Sequence, residues 1–359
     1  MKKLTLSVLL CFATHAVAEG LPDLGDISQS VLSPLQERQI GQQSMMQIRA
    51  SRMFLDDPEV NDYLNQIGDR LVASSNEPAL NFEFFAVDDE SVNAFAIPGG
   101  FIGVNIGLLL TTQSESELAS VLAHEIAHVT QHHYARLLSA TQNDGLTSMA
   151  AIAVAILAAR NSPQASQAAI MGAQARSVQK QLDFTRLHEQ EADRIGLESL
   201  QKSSFNTHAM PEFLQRLQRA TRLLEGNAPN YMRTHPITSE RVADIENRVS
   251  KQPYRLIADS LDFQLIRTKL IAHQKSTADA ISYFEHALTD KKFGNPVAQR
   301  YGLVLSLLRA NDATRAQQEM DTLRVQAQGN ALLDTLTGQV IAAQKNDQAT
   351  LSYYKTAVQ

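Results

Sequence analysis

The stretch Val121-Leu122-Ala123-His124-Glu125-Ile126-Ala127-His128-Val129 sets the frame for the rest of the chain. Two histidines four residues apart on an α-helix stand one turn apart on the same face, so both imidazoles can reach one Zn2+ ion. Glu125 lies along the edge of that face. There a carboxylate can take a proton from a water attacking a scissile carbonyl and pass it to the leaving amine. The five-residue pattern also occurs by chance, on amphipathic surface helices. Here the neighbours Val121, Leu122, Ala123, Ile126, Ala127 and Val129 are apolar. That marks a core helix, whose polar groups need partners that a metal can supply. Its start is marked by Ser114, three residues before Glu117, the spacing of a capping box.

The third ligand must come from elsewhere. A metzincin extension requires Gly at 131 and His at 134, and the chain has Gln131 and Tyr134. His132 continues the stripe but lies eight residues from His124, about 12 Å along the axis, too far to share one ion. His132 and His133 therefore read as polar residues past the buried turns. In zinc enzymes of the gluzincin type the third ligand is a glutamate on a later helix. The run Glu189-Gln190-Glu191-Ala192-Asp193-Arg194-Ile195-Gly196 offers one. Glu189 and Asp193 share a face with Ala192 and Gly196, whose small size lets this helix approach the His124 helix closely. Glu189 is then the expected ligand, with Asp193 hydrogen-bonding an imidazole behind it. Glu191 points about 200° away from Glu189 around the helix and is rejected as the ligand. A solvated acidic helix start is the plainer reading of this run.

Around these motifs the chain reads as two domains. Residues 1–18 have the form of a cleaved signal peptide: Lys2 and Lys3, an apolar run from Leu4 to Phe12, then Ala16-Val17-Ala18. The only cysteine, Cys11, falls inside it, and Leu9 and Leu10 before it argue against lipidation. Removing this segment takes Lys+Arg from 32 to 30 against 38 Asp+Glu, a net charge of −8. Such a balance argues against nucleic acid or an anionic membrane as the main partner. Residues 19–34 read as an extended lead-in.

From 35 to 253 the pattern predicts a zinc metallopeptidase domain. Helical spacing runs from Leu35 to Ala73, with Val60, Tyr63, Leu64, Ile67 and Leu71 on one face. A strand is expected over Phe82 to Val87, and two extended segments from Asn93 to Ile106 meet at Pro98-Gly99-Gly100. Further helices are expected around Met149 to Ala159, from Phe184 to Leu200, after Pro211, and from Ser239 to Val249. Gly226 to Pro236 reads as loop. The Met149 run is too short to span a bilayer, which needs about 20 residues, so no transmembrane segment is expected in the mature chain.

Past Pro253, residues 254–359 are nearly all helical with a period of 35 that aligns Ile281, Ala316 and Leu351, and Leu288, Leu323 and Val358. Ser276, Asn311 and Asn346 fall at the turns. Paired helices repeating at about 34 residues are the signature of tetratricopeptide repeats; an ordinary helical bundle is the other reading. The expectation is an α+β zincin-like domain followed by an all-α tetratricopeptide-like repeat domain with its own core.

The run from His124 to His128, paired with the run from Glu189 to Gly196, resembles the HtpX-related family of gluzincin metallopeptidases. With a signal peptide and trailing helical repeats, it is similar to the periplasmic branch of that family that serves outer-membrane β-barrel assembly. The resemblance implies one zinc per chain on His124, His128 and Glu189, with Glu125 as catalytic base and Asp193 as proton donor. It also implies that His235, in Thr234-His235-Pro236, caps the zinc as a fourth, regulatory ligand. Its implied location is the periplasm, and its implied substrates are unfolded or stalled outer-membrane proteins. The β-barrel assembly machinery would be a partner held through the repeats.

The segment from Phe95 to Ile106 is a candidate edge strand beside the catalytic helix, able to pair with extended peptide; an interior hairpin is the alternative. Two other functions stay open. One is a chaperone or adaptor with a structural metal, against which the presence of Glu125 weighs. The other is a general degradative peptidase without an assembly role.

Overall fold

The computed structural model describes residues 31–51, 53–140, 185–222, 230–290, 294–327, 329–344 and 355. The signal-peptide region, residues 19–30 of the lead-in, the Met149 to Ala159 segment and the repeat positions Asn346, Leu351 and Val358 lie outside them.

The helical stretch expected from Leu35 to Ala73 is two helices, α1 (Pro34–Ala50) and α2 (Pro58–Val72). The break has a local cause. Pro58 brings no N–H and disfavours helix at the residue before it, and the Asp57 side chain caps the new start by accepting from the Glu59 and Val60 amides. Between the helices, Phe54 forms a bridge with Val87. Val60, Tyr63, Leu64, Ile67 and Leu71 are all buried, as the spacing predicts.

The sheet has three strands, β1 (Glu83–Val87), β2 (Ala94–Ile97) and β3 (Phe101–Asn105), in the order β1-β3-β2. β1 runs parallel to β3, and β2 pairs antiparallel with it. Gly99 and Gly100, at φ 82° and 89°, make the turn between β2 and β3 in a region that favours glycine. Among the described residues β2 is therefore an edge. Asn105 donates to the Asn93 carbonyl, so by the alternation of an antiparallel ladder the backbone groups of Ala94 and Ala96 face away from β3.

Helices α3 (Ile106–Thr111) and α4 (Glu115–Thr130) follow. Ser114 Oγ caps α4 by accepting from the Glu117 amide at 3.2 Å. Only half of the expected capping box forms, because the Glu117 carboxylate turns instead to the Gln113 amide at 2.6 Å and to Arg216. The chain is then helical over 133–140 (α5) and 185–202 (α6). Next come α7 (Ala209–Arg222), α8 (Asn230–Thr234) and α9 (Ser239–Val249). The short α8 lies within the stretch read as loop.

Five helices complete the described chain: α10 (Leu261–Gln274), α11 (Thr277–Asp290), α12 (Pro296–Arg309), α13 (Ala313–Gln326) and α14 (Ala331–Ala343). They form a second core around Phe284, Tyr301, Val304, Met320 and Leu336. The two cores are not independent. α10 places Phe263, Ile266 and Leu270 in the first core, among Leu64, Leu118 and Val121, while its Leu265 and Ala272 belong to the second. Polar contacts tighten the same joint. Ser260 Oγ donates to Glu115 in the first turn of α4 at 2.6 Å, and Lys269 Nζ lies 2.6 Å from both Asp57 and Glu59. The first helix past Pro253 is thus part of the packing that holds α4. Among the described residues, no helix is long and apolar enough to cross a membrane.

Candidate metal centre

α4 is buried along nearly its whole length, with His124 2 % and Glu125 1 % exposed. Beside it lies α6, and Gly196 is what allows the approach. A Cβ added there would stand 3.0 Å from the backbone of Ala123 and His124. At this distance α6 turns Glu189 and Asp193 toward the imidazoles of α4.

Potential ligand atoms from His124, His128, Glu189 and His235 all lie within 4.8 Å of one another. His124 Nε2 stands 3.0 Å from His128 Nε2, 3.4 Å from His235 Nδ1 and 3.4 Å from Glu189 Oε2. His128 Nε2 is 3.5 Å from Glu189 Oε1, and His235 Nδ1 is 3.1 Å from that same oxygen. A tetrahedral zinc with ligands at roughly 2.0–2.1 Å has ligand-to-ligand edges of about 3.3 Å. Five of the six ligand-to-ligand separations, at 3.0–3.5 Å, are thus close to such an edge. Charge agrees with geometry. Two buried carboxylates held in the ionised form, Glu189 and Asp193, share one buried guanidinium, Arg241, which among the described residues leaves a net negative charge for a cation to match. The protein alone shows the same demand: burial works against a charge on His124, yet hydrogen bonds with Asp193 and Glu189 outweigh it and hold its pKa at about 10.

Glu125 Oε1 is buried and makes no hydrogen bond among the described residues. It stands 3.4 Å from His235 Nε2, so His235 faces both the base and the ligand cluster. His235 is 8 % exposed, and its ring lies against Tyr231 with centroids 4.8 Å apart. Its amide donates to the Tyr231 carbonyl at 2.7 Å, and the Tyr231 amide is tied to Val92 just ahead of β2.

Asp193 sits behind His124, with Oδ1 3.0 Å from Nδ1, the nitrogen turned away from the cluster. Both its oxygens also bind Arg241. That position orients His124. Asp193 thus faces the back of the imidazole, with its oxygens engaged by His124 Nδ1 and by Arg241. Arg241 also reaches Glu189 Oε2 at 2.7 Å, a role that nothing in the α9 sequence announces. Glu191 points elsewhere, as its helical angle requires, and meets His133 Nε2 at 3.2 Å and Arg136 at 2.8 Å.

His133 is a correction. It was expected beyond the buried turns, but it is 5 % exposed, with Nδ1 2.8 Å from His128 Nδ1. The cause is local: His132 adopts φ 50°, which ends α4 and folds the next residue back beside His128. Only the i, i+5 spacing hints at this, and on a straight helix that spacing points elsewhere.

The cluster opens on a cleft lined by Phe95, Ala96 and Ile97 of β2 on one side and by Val129, Tyr134 and Leu137 on another. Comparison with known proteins places this arrangement among peptidases. The model of peptidase family M48 matches residues 58–249. A putative beta-barrel assembly-enhancing protease of Vibrio cholerae is 36 % identical, over 94 % of this chain and 72 % of its own length. The beta-barrel assembly-enhancing protease of Escherichia coli K12 is 35 % identical, over 92 % and 68 %. A mitochondrial metalloendopeptidase OMA1 of Schizosaccharomyces pombe is 30 % identical over 51 % of each chain.

Proposed function

The chain belongs to peptidase family M48, and from that premise we propose that it is a zinc-dependent endopeptidase of the periplasm. On this reading it cleaves unfolded or stalled outer-membrane proteins and assists their assembly. The observation that carries the chemistry is the clustering of ligand atoms from His124, His128, Glu189 and His235 beside Glu125, whose Oε1 makes no hydrogen bond among the described residues and faces His235 Nε2. The names of the Vibrio cholerae and Escherichia coli relatives support the substrate class.

His124, His128 and Glu189 would hold the zinc, and Asp193 and Arg241 fix the orientation of His124 and Glu189 from behind. Bound there, zinc would supply acidification of a water and polarisation of a carbonyl. Glu125 takes the proton of the attacking water and delivers it to the leaving nitrogen. Substrate lies extended along β2, where the outward amide and carbonyl of Ala96 supply backbone hydrogen bonds indifferent to sequence. His235 would supply a fourth ligand and covers Glu125, so that with zinc bound the resting site would be closed. Cleavage requires the segment from Asn230 to His235 to lift away. The helices past Pro253 act as tetratricopeptide-like repeats that hold the β-barrel assembly machinery. α10, α12 and α14 begin at residues 261, 296 and 331, steps of 35 that match this reading.

Two variants test the proposal. Glu125→Gln should keep one zinc per chain and lose about 10²–10⁴-fold in casein cleavage. Glu189→Ala should lose most of its zinc. Near-parental cleavage by the first, or full zinc occupancy in the second, would sink the mechanism.

A further inference from the structure

We propose that His133 is a positioning residue for His128: it accepts the Nδ1–H of His128, anchors in turn on Glu191, and so sets the affinity of the metal centre. This rests on the reading of His128 as a metal ligand.

The argument is a chain of proton placements. An imidazole that offers Nε2 to a metal carries its proton on Nδ1, and that proton needs an acceptor. The atom 2.8 Å from His128 Nδ1 is His133 Nδ1, which must then be the bare nitrogen of its ring. The proton of His133 therefore sits on Nε2. That nitrogen stands 3.2 Å from Glu191 Oε2, a carboxylate oxygen that Arg136 Nη1 holds at 2.8 Å. Every donor in this assignment meets an acceptor. The opposite assignment gives His128 a proton pointing into the cluster and sets the bare Nε2 of His133 against a carboxylate oxygen, two acceptors face to face. The geometry selects the first.

The ring is also held in plane. His188 stacks on His133 with centroids 4.1 Å apart and planes 6° from parallel, and the left-handed backbone of His132 fixes where His133 leaves α4. The result parallels the other side of the site. His124 is backed by Asp193 and then Arg241; His128 is backed by His133, then Glu191 and Arg136. Both imidazoles of α4 thus meet an acceptor whose own place is secured, directly or through one more group, by an arginine.

The test is zinc affinity by chelator competition, with the absorption spectrum of the cobalt-loaded protein as a second readout, on the full chain. His133→Phe fills the space of the ring without offering an acceptor. It should weaken zinc binding by about 10- to 100-fold and shift the cobalt bands, while the circular dichroism of the metal-free protein stays at the parental value. His133→Asn places Oδ1 near the position of Nδ1 and should recover most of the affinity. Zinc binding by His133→Phe within about twofold of the parent would overturn the proposal, since outer partners of this kind are worth at least tenfold. So would His133→Asn binding as weakly as His133→Phe, because the ring would then matter only as filling. If His133→Phe does not fold, Glu191→Leu decides: a weakening of several-fold supports the relay, and unchanged affinity and cobalt spectrum overturn it. A parent chain that takes up no zinc would overturn the metal-centre reading along with this one. A zinc-loaded parent whose variants are unmoved would overturn this one alone.

Discussion

Asp193 and Arg241 form a buried two-pronged ion pair directly behind His124, Oδ2 to Nε at 2.7 Å and Oδ1 to Nη2 at 2.9 Å. The same guanidinium reaches Glu189 and the Pro236 carbonyl. One side chain from α9 thus ties together the acidic face of α6, the residue after His235 and, through Asp193, the first histidine of α4. Glu189 and Asp193 stay ionised despite burial that opposes it. For Glu189 the charge and hydrogen bonds of His235 and His124 overcome that burial; for Asp193 the His124 hydrogen bond and Arg241 do so.

Removing that guanidinium leaves buried carboxylates without their partner. Arg241→Met should cost about 3–5 kcal/mol of stability, the range for breaking a buried pair by deleting one member. Arg241→Lys should recover only part of it, since an ammonium cannot make the two-pronged contact. Urea unfolding checks both, and a loss below about 1 kcal/mol in the Met variant would show that the pair contributes no more than a surface one.

His235→Ala should open the fourth vertex and uncover Glu125. Zinc should stay bound through His124, His128 and Glu189, and cleavage of several unfolded substrates should rise several-fold. Unchanged turnover at full zinc occupancy would show that His235 is no latch.

Cutting the chain after Pro253 removes Phe263, Ile266 and Leu270 from the first core, each worth roughly 1.5–3 kcal/mol when fully buried. It also strips Ser260 and Asp259 from the start of α4. The product should be unstable and take up little zinc, whereas a chain ending after Lys275 should retain the metal site. Equal zinc uptake and equal melting temperatures for the two truncations would show that α10 is dispensable to the peptidase core.

Acid should destabilise the fold through His133 and His188. Burial holds His133 at about 4 and His188 at about 3, whereas an unfolded histidine titrates near 6.5. Between pH 6.5 and 4 the unfolded chain therefore binds more protons, so stability falls as pH falls. The His133 share is on the order of 3 kcal/mol by its shift. His133→Asn should flatten the pH dependence of the melting temperature over that window, and an unchanged slope would contradict the assignment.

The sequence by itself determined the parts that depend on neighbours along one helix. The His124 to His128 spacing placed both rings on one face because α4 is a regular helix through its buried turns, and the same regularity separated Glu189 and Asp193 from Glu191. The small face of α6 was legible too, since Ala192 and Gly196 leave space whatever packs on them. Tertiary structure decided what no helical angle can carry. His133 returned to the site because one left-handed residue redirects the chain, and Arg241 arrived from a helix 48 residues beyond Asp193. The split between α1 and α2 came from a cap and a proline acting with a bridge to β1. The joint at α10 escaped the sequence for another reason. Its apolar residues face two directions, toward both cores, and a repeat period records only that they are apolar, not which core each one fills.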